Sequence, residues 1–178
     1  IGIGGFQGNK LLFIEKISSR RPLSDAGYIE KLNMILNKHG LSAEAFEGSM
    51  ISSVVPSVTA VFSSALETFL GRKPLILSHK LDLGYEICTE FPEKVGCDRL
   101  ADIAGAISRY SLPFVTIDLG TATTFNVLDE NRRFLGGLIL PGVGTAHRAL
   151  LGKTAQLPKG DIHMPAHTIG ANTQECIT

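Results

Sequence analysis

The run Val115-Thr116-Ile117-Asp118-Leu119-Gly120-Thr121-Ala122-Thr123-Thr124 is an apolar stretch that ends in an aspartate and turns through glycine into hydroxyl residues. That order of residue types suits phosphate. Gly120 permits close backbone approach, the threonine hydroxyls and turn N–H groups can donate to phosphate oxygens, and Asp118 can hold a cation or its water shell beside them. Asp and Thr are also common at ordinary turns, so the local pattern leaves a plain β-hairpin open. A second candidate is Gly96-Cys97-Asp98-Arg99 at the start of an expected helix. There the carboxylate can cap the helix and the guanidinium can reach an anion near the positive helix end. An aspartate so placed can equally accept a proton from a substrate hydroxyl.

Gly136-Gly137-Leu138-Ile139-Leu140-Pro141-Gly142 has paired glycines before an apolar run and Pro-Gly after it, which lets a ligand or another backbone come close, or simply punctuates a strand. Ile169-Gly170-Ala171-Asn172-Thr173 is a Gly-led polar turn that can cap a helix or touch a ligand. The five histidines suggest no metal site: His163 and His167 are four apart, but Pro165 between them argues against a shared helix face. Arg148 and Lys153 read as ordinary surface charges.

These residues need elements to hold them. Ile1 to Phe6 and Lys10 to Ile17 are β-rich and joined by Gln7-Gly8-Asn9, the signature of a hairpin. Ile29, Leu32, Ile35 and Leu36 give Leu23 to Leu36 a helical face that ends before Gly40, and Val58 to Leu70 repeats the pattern up to Gly71. Short strands are expected at Met50 to Val55, stopped by Pro56, and at Leu75 to Leu77. A turn-rich stretch around Phe91-Pro92 precedes a helix from Asp98 to Ile107. Phe114 to Asp118, Thr124 to Leu128 and Arg133 to Leu140 then form a meander rather than alternating βαβ units. The reset from helix to consecutive strands puts a domain boundary near residues 110 to 113, giving domains 1–111 and 112–178.

Composition narrows the classes. The 178 residues are 44% hydrophobic with 17 basic and 17 acidic side chains, which fits a globular protein whose partners are small molecules. Zero formal charge and the absence of a long basic run argue against a nucleic-acid coat or an anionic membrane surface as the main partner. Cys88, Cys97 and Cys176 are odd in number without C-x-x-C spacing, so neither a disulfide framework nor a zinc site is expected and a reducing cytoplasm fits. No apolar run approaches the roughly 20 residues of a membrane span. The chain opens at Ile1 without an initiator Met and stops at Thr178 in a polar segment, so both ends are expected to be cut.

Taken in order, Ser53-Val54-Val55-Pro56, Gly96-Cys97-Asp98-Arg99, Asp118 to Thr124, Gly136 to Gly142, Thr154-Ala155-Gln156-Leu157-Pro158 and Gly170-Ala171-Asn172-Thr173 resemble the type III pantothenate kinases along essentially the whole chain. The resemblance implies the fold of the acetate and sugar kinase and actin superfamily. That is two actin-like, ribonuclease H-like α/β domains with mixed sheets, a nucleotide in the cleft between them, and a second domain incomplete here. It implies ATP-dependent phosphorylation of pantothenate to 4′-phosphopantothenate, the first step of coenzyme A synthesis. Asp98 then matches the general base, with Gly96, Arg99 and Thr173 around the pantothenate. Gly120, Thr121, Thr123, Gly137 and Gly142 match the ATP site, and Asp118 the monovalent-cation aspartate. Mg2+, a K+ or NH4+ ion, and a homodimer that completes the pantothenate pocket are implied with them.

There are departures from the family pattern. Its opening D-x-G-N-T-N phosphate loop would precede Ile1, so this stretch alone is expected to be inactive. Thr89 stands where a Tyr is often found, Ala171 where a basic residue is common, and Asp102 where Asn is frequent. Competing expectations are a non-catalytic homologue serving as an accessory transcription factor, and a kinase of the same superfamily with another small substrate.

Overall fold

The structure, a computed structural model, describes residues 1–18, 23–155, 157–158, 160–164 and 167–177. Two strands, Gly2–Gln7 (β1) and Lys10–Lys16 (β2), pair as the expected antiparallel hairpin, turning at Gly8 with φ 56°. A bulge between Gly5 and Phe6 shifts the register, and a side chain on Gly5 would overlap the buried Phe13 ring. Phe13 stacks on His39 with ring centroids 4.5 Å apart. His39 Nε2 and Lys38 Nζ lie 2.9 Å and 2.6 Å from Glu15 Oε1, fastening the hairpin to the end of the first helix. The bonds from Lys38 and then His39 hold the Glu15 carboxyl below its ordinary range.

That helix, Asp25–Lys38 (α1), is capped by Ser24, whose hydroxyl accepts the Gly27 N–H at 3.3 Å. Asp25 in its first turn and Lys38 in its last complement the helix dipole. Tyr28, Leu32 and Leu36, spaced by four, are its buried face. The helix Pro56–Leu70 (α2) starts with proline and ends at Gly71, φ 66°, in the left-handed conformation. Two short strands, Met50–Ile51 (β3) and Leu75–Ile76 (β4), pair in parallel beside it. Tyr28, Leu32, Ile51, Phe62, Ala65 and Leu66 form the core here, with the Tyr28 and Phe62 rings edge to face at 5.0 Å. Each such burial is worth roughly 1.5–3 kcal/mol.

A second set of elements comprises Glu86–Ile87 (β5), Cys97–Ile107 (α3), Phe114–Leu119 (β6), Ala122–Leu128 (β7), Arg133–Pro141 (β8) and Val143–Lys153 (α4). Their sheet runs β5-β8-β7-β6, parallel between β5 and β8 and antiparallel elsewhere. Ile103, Leu128 and Phe134 are its fully buried centre. Tyr85 donates to the Leu100 carbonyl at 2.9 Å, and burial pushes its hydroxyl pKa up. Asp129 closes the β7–β8 turn: Oδ1 accepts the N–H groups of Asn131 and Arg133 at 2.9 Å and 2.8 Å, and Oδ2 accepts Arg133 Nε at 2.7 Å.

The protein is thus mixed α/β. By packing it forms two compact units, Ile1–Leu81 with Gly96–Asp98, and Asp82–Val95 with Arg99–Thr178. Among the described residues no helix is long and apolar enough to cross a membrane.

One local expectation needs correction, and two elements, β5 and α4, stand where the sequence carries no expectation. The strand at 50–55 stops at Ile51, because Val55 becomes the residue before a helix and Pro56, whose missing N–H costs nothing in a first turn, begins it two residues earlier than expected. β5 lies just before the turn-rich stretch around Phe91-Pro92, and its two residues gain their order from pairing with β8. The segment after Gly142 is a helix, α4, although its glycines disfavour one and none of its described residues is buried.

Candidate active site

In the first unit, Asp98 is exposed and lines a cavity of about 340 Å3 with Ser52, Ser53, Val54, Val55, Val58, Thr59 and Phe62 among its other walls. Asp98 is the second residue of α3, so the cap position falls to Gly96. A side chain on Gly96 would overlap Asp98 Oδ1 and approach Val54 Cγ1 to 3.7 Å. Glycine therefore lets the carboxylate fold back over the turn. Cys97 Sγ donates to the Ser53 carbonyl at 2.8 Å, and Ser53 Oγ accepts the Val55 N–H at 3.2 Å, joining this turn to the chain entering α2.

In the second unit, Thr116, Asn126 and Gly137 are direct neighbours across β6, β7 and β8. Asn126 is fully buried. Its Oδ1 accepts Arg99 Nε at 2.6 Å and its Nδ2 donates to Thr116 Oγ1 at 3.0 Å. The Arg99 guanidinium lies 5.4 Å from the Phe134 ring centroid. A side chain on Gly137 would come within 3.1 Å of Arg99 Nη2 and would overlap the Phe125 carbonyl.

At the tip of the β6–β7 hairpin, Gly120 N–H donates to the Ala122 carbonyl at 2.9 Å. The next carbonyl, of Thr121, accepts the Gly142 N–H at 3.0 Å and the Thr145 hydroxyl at 2.8 Å. Gly142 is buried, and a side chain there would overlap the Gly120 carbonyl. This close approach seats the Gly-Thr turn against the first turn of α4, whose N–H groups and dipole favour an anion. Thr123 pairs with Leu119 and Leu140, and strand alternation turns it to the sheet face opposite Thr124.

Asp118 stands cross-strand from Thr124, and Thr124 Oγ1 is buried with no hydrogen-bond partner among the described residues. Asp118 also lines a cleft with Asp102 and Thr116. Carboxylate and hydroxyl oxygens side by side are a donor set that a hard cation takes. Among the described residues no three His, Cys, Asp or Glu side chains gather as a metal site.

Thr173 is exposed on a turn of its own, where Ala171 N–H and Asn172 Nδ2 donate to the Glu175 carboxylate at 2.9 Å and 2.8 Å. Gly170 is required there, since a side chain would press within 2.8 Å of the Cys176 nitrogen. Gln156 of the Thr154–Pro158 motif, and Pro165 between His163 and His167, lie outside the described residues.

Asn126 has no role in the sequence motifs, yet its type is a usable signal: it shares a strand face with Leu128, and a polar residue amid core positions needs a partner. Thr89, noted as unusual, has its hydroxyl buried without a hydrogen-bond partner among the described residues, near Gly136.

Residues 1–178 match the family model described as type III pantothenate kinase. Among curated relatives, the type III pantothenate kinase of Bifidobacterium animalis subsp. lactis is 37% identical over 177 residues, 99% of this chain and 70% of that protein. That of Thermomicrobium roseum is 34% identical over 98% of this chain and 68% of its own length. That of Finegoldia magna is 35% identical over 97% and 66%. The chain spans about two thirds of the length of these relatives.

Proposed function

The chain belongs to the type III pantothenate kinase family, and from that premise we propose that it phosphorylates the primary hydroxyl of pantothenate from ATP, the entry step of coenzyme A biosynthesis. The observation that carries the reading is the glycine-only closure of the Gly120-Thr121 turn on Gly142 at the start of α4. It sets the exposed Thr121 beside the N-terminus of α4, where a hydroxyl and a helix dipole can meet phosphate oxygens.

In this reading Asp98 accepts the proton of the substrate hydroxyl as its oxygen bonds to the γ-phosphorus, and the bond to the β-γ bridging oxygen breaks to release ADP. A positioned base contributes about 10² to 10⁴ in rate. Gly96 gives the carboxylate its space, while Arg99 and Thr173 bind pantothenate. Gly120, Thr121, Thr123, Gly137 and Gly142 surround the nucleotide. Phosphoryl transfer asks little covalent work of a protein, so in-line placement and charge neutralisation carry catalysis. Asp118, supported by Thr124, would hold a K+ or NH4+ ion. Mg2+ would be carried chiefly by the ATP phosphates and water, and both ions supply positive charge beside the transferring group.

The reading extends to two actin-like domains at 1–111 and 112–178, a homodimer and a cytoplasmic site of action. ATP turnover by the full-length protein that carries these residues is its test. Stimulation by pantothenate, and not by glycerol, acetate or hexoses, is expected; equal stimulation by a hexose would contradict it.

A further inference from the structure

Asp98 is the second residue of α3, and the residue before that helix is Gly96, which has no side chain to cap it. The first turn of a helix carries N–H groups without partners inside the helix, and glycine is the residue whose backbone is least restricted. A carboxylate on such a turn is held only as well as the turn is held from outside. Cys97 supplies such a hold. Its half-buried thiol donates to the Ser53 carbonyl at 2.8 Å, and Gly96 lies so close to Val54 that a side chain on it would come 3.7 Å from Cγ1.

The Ser53 carbonyl is itself a fixed point. Two residues before it, Ile51 is buried in the core with Tyr28 and Phe62. After it, Ser53 Oγ accepts the Val55 N–H at 3.2 Å, and the Val55 carbonyl accepts both the N–H and the hydroxyl of Thr59 in α2, at 3.0 Å and 2.9 Å. The thiol therefore ties the Asp98 turn to a strap anchored at both ends. Ser53, Val54, Val55 and Thr59 are also walls of the cavity that Asp98 lines, so the strap that holds the turn is part of the surface a substrate would meet.

We propose that Cys97 is a positioning residue for phosphoryl transfer: its thiol, bound to the Ser53 carbonyl, fixes the turn that presents Asp98 and so sets turnover rather than ATP affinity. This role rests on the assignment of Asp98 as the base. Cys97 acts through the residue beside it and makes no contact with the reacting groups. Cys97→Ser keeps a donor for the same carbonyl, and Cys97→Ala removes it.

The experiment measures kcat, KM for pantothenate, KM for ATP and the urea midpoint in the full-length protein. It compares wild type, Cys97→Ala, Cys97→Ser, Asp98→Ala and the double variant that combines Cys97→Ala with Asp98→Ala. Cys97→Ala should lower kcat about threefold to tenfold, the scale of one hydrogen bond, with the ATP KM and the urea midpoint unchanged. Cys97→Ser should return kcat to within about twofold of wild type, since its hydroxyl keeps a donor. In the Asp98→Ala background, Cys97→Ala should have no further effect, because no carboxylate is left to position.

Wild-type kcat in Cys97→Ala would overturn the proposal. So would the same fold loss in both backgrounds, which would mean that the thiol acts independently of Asp98, and so would a Cys97→Ser variant as slow as Cys97→Ala. Should Cys97→Ala not fold, Cys97→Val, which fills the space without a donor, carries the same comparison. The two assignments fail separately. Wild-type turnover in Asp98→Ala removes the base and this role with it, whereas a slow Asp98→Ala beside a wild-type Cys97→Ala removes the role of Cys97 alone.

Discussion

The carboxylate of Asp98 occupies the space that a side chain on Gly96 would need, which makes the two residues one structural device. The obstruction is a side-chain tip, so Gly96→Ala can be relieved by rotating Asp98 rather than by moving the backbone. Folding should survive and the base should be misplaced. We expect kcat to fall about tenfold to a hundredfold, the scale on which small misplacements act, with little change in unfolding midpoint. Wild-type kcat in Gly96→Ala would show that the folded-back carboxylate is not the working one.

Gly142 meets backbone rather than a side-chain tip. Alanine there would overlap the Gly120 and Thr121 main chain, so either the hairpin tip or the start of α4 must shift. Gly142→Ala should destabilise the protein by about 1–3 kcal/mol and weaken ATP binding by calorimetry. Gly152, in α4 with open space around it, is the control: Gly152→Ala should stabilise by about 0.5–1 kcal/mol and leave ATP binding alone. Equal behaviour of the two variants would remove the close-approach account.

Asp118 and its cross-strand neighbour Thr124 predict a cation effect. Replacing Na+ by K+ should stimulate the wild type, and Asp118→Ala should abolish that stimulation while the protein stays folded. Stimulation retained in Asp118→Ala would place the ion elsewhere.

Asp129 predicts an acid-side stability effect. Burial by itself would raise its carboxyl pKa, but the hydrogen bonds from the Arg133 N–H, the Arg133 guanidinium and the Asn131 N–H together hold it below the ordinary value. A carboxyl lowered by folding contributes stability that is present above its unfolded pKa, about 4, and is lost as pH falls through the folded value. Urea midpoints between about pH 6 and pH 3 should fall less in Asp129→Asn than in wild type. Parallel slopes would deny Asp129 this role.

Much of the fold was legible because punctuation and period agreed. Gly8 and Gly71 take the left-handed conformations that their turns require, and Tyr28, Leu32 and Leu36 repeat at helical spacing into the core. β5 was hidden because two residues paired to a distant strand leave no periodic trace. α4 was hidden because two glycines dilute a helix with no buried face among its described residues. At the candidate site, residue types single out Asp98, Arg99 and Asp118 as candidates, since they stand at turns and element ends where polar residues are conspicuous. They did not expose Asn126, whose hydrogen bond is to a residue 27 positions away and whose burial depends on which strands lie beside it. The run of apolar residues in β6 was read as strand correctly, yet Val115, Ile117 and Leu119 are all more than half exposed, a matter of which face is covered rather than of hydrophobicity.

The central claim is that Asp98 serves as the base for phosphoryl transfer to pantothenate. The most direct test is mass detection of 4′-phosphopantothenate formed from ATP, in K+ and Mg2+, by the full-length protein that carries these residues and by its Asp98→Ala variant. The account predicts product from wild type, and from Asp98→Ala a turnover lower by about 10² to 10⁴ with ATP binding retained. Product at the wild-type rate from Asp98→Ala, or no product from a folded wild type that also fails to bind pantothenate, would contradict it.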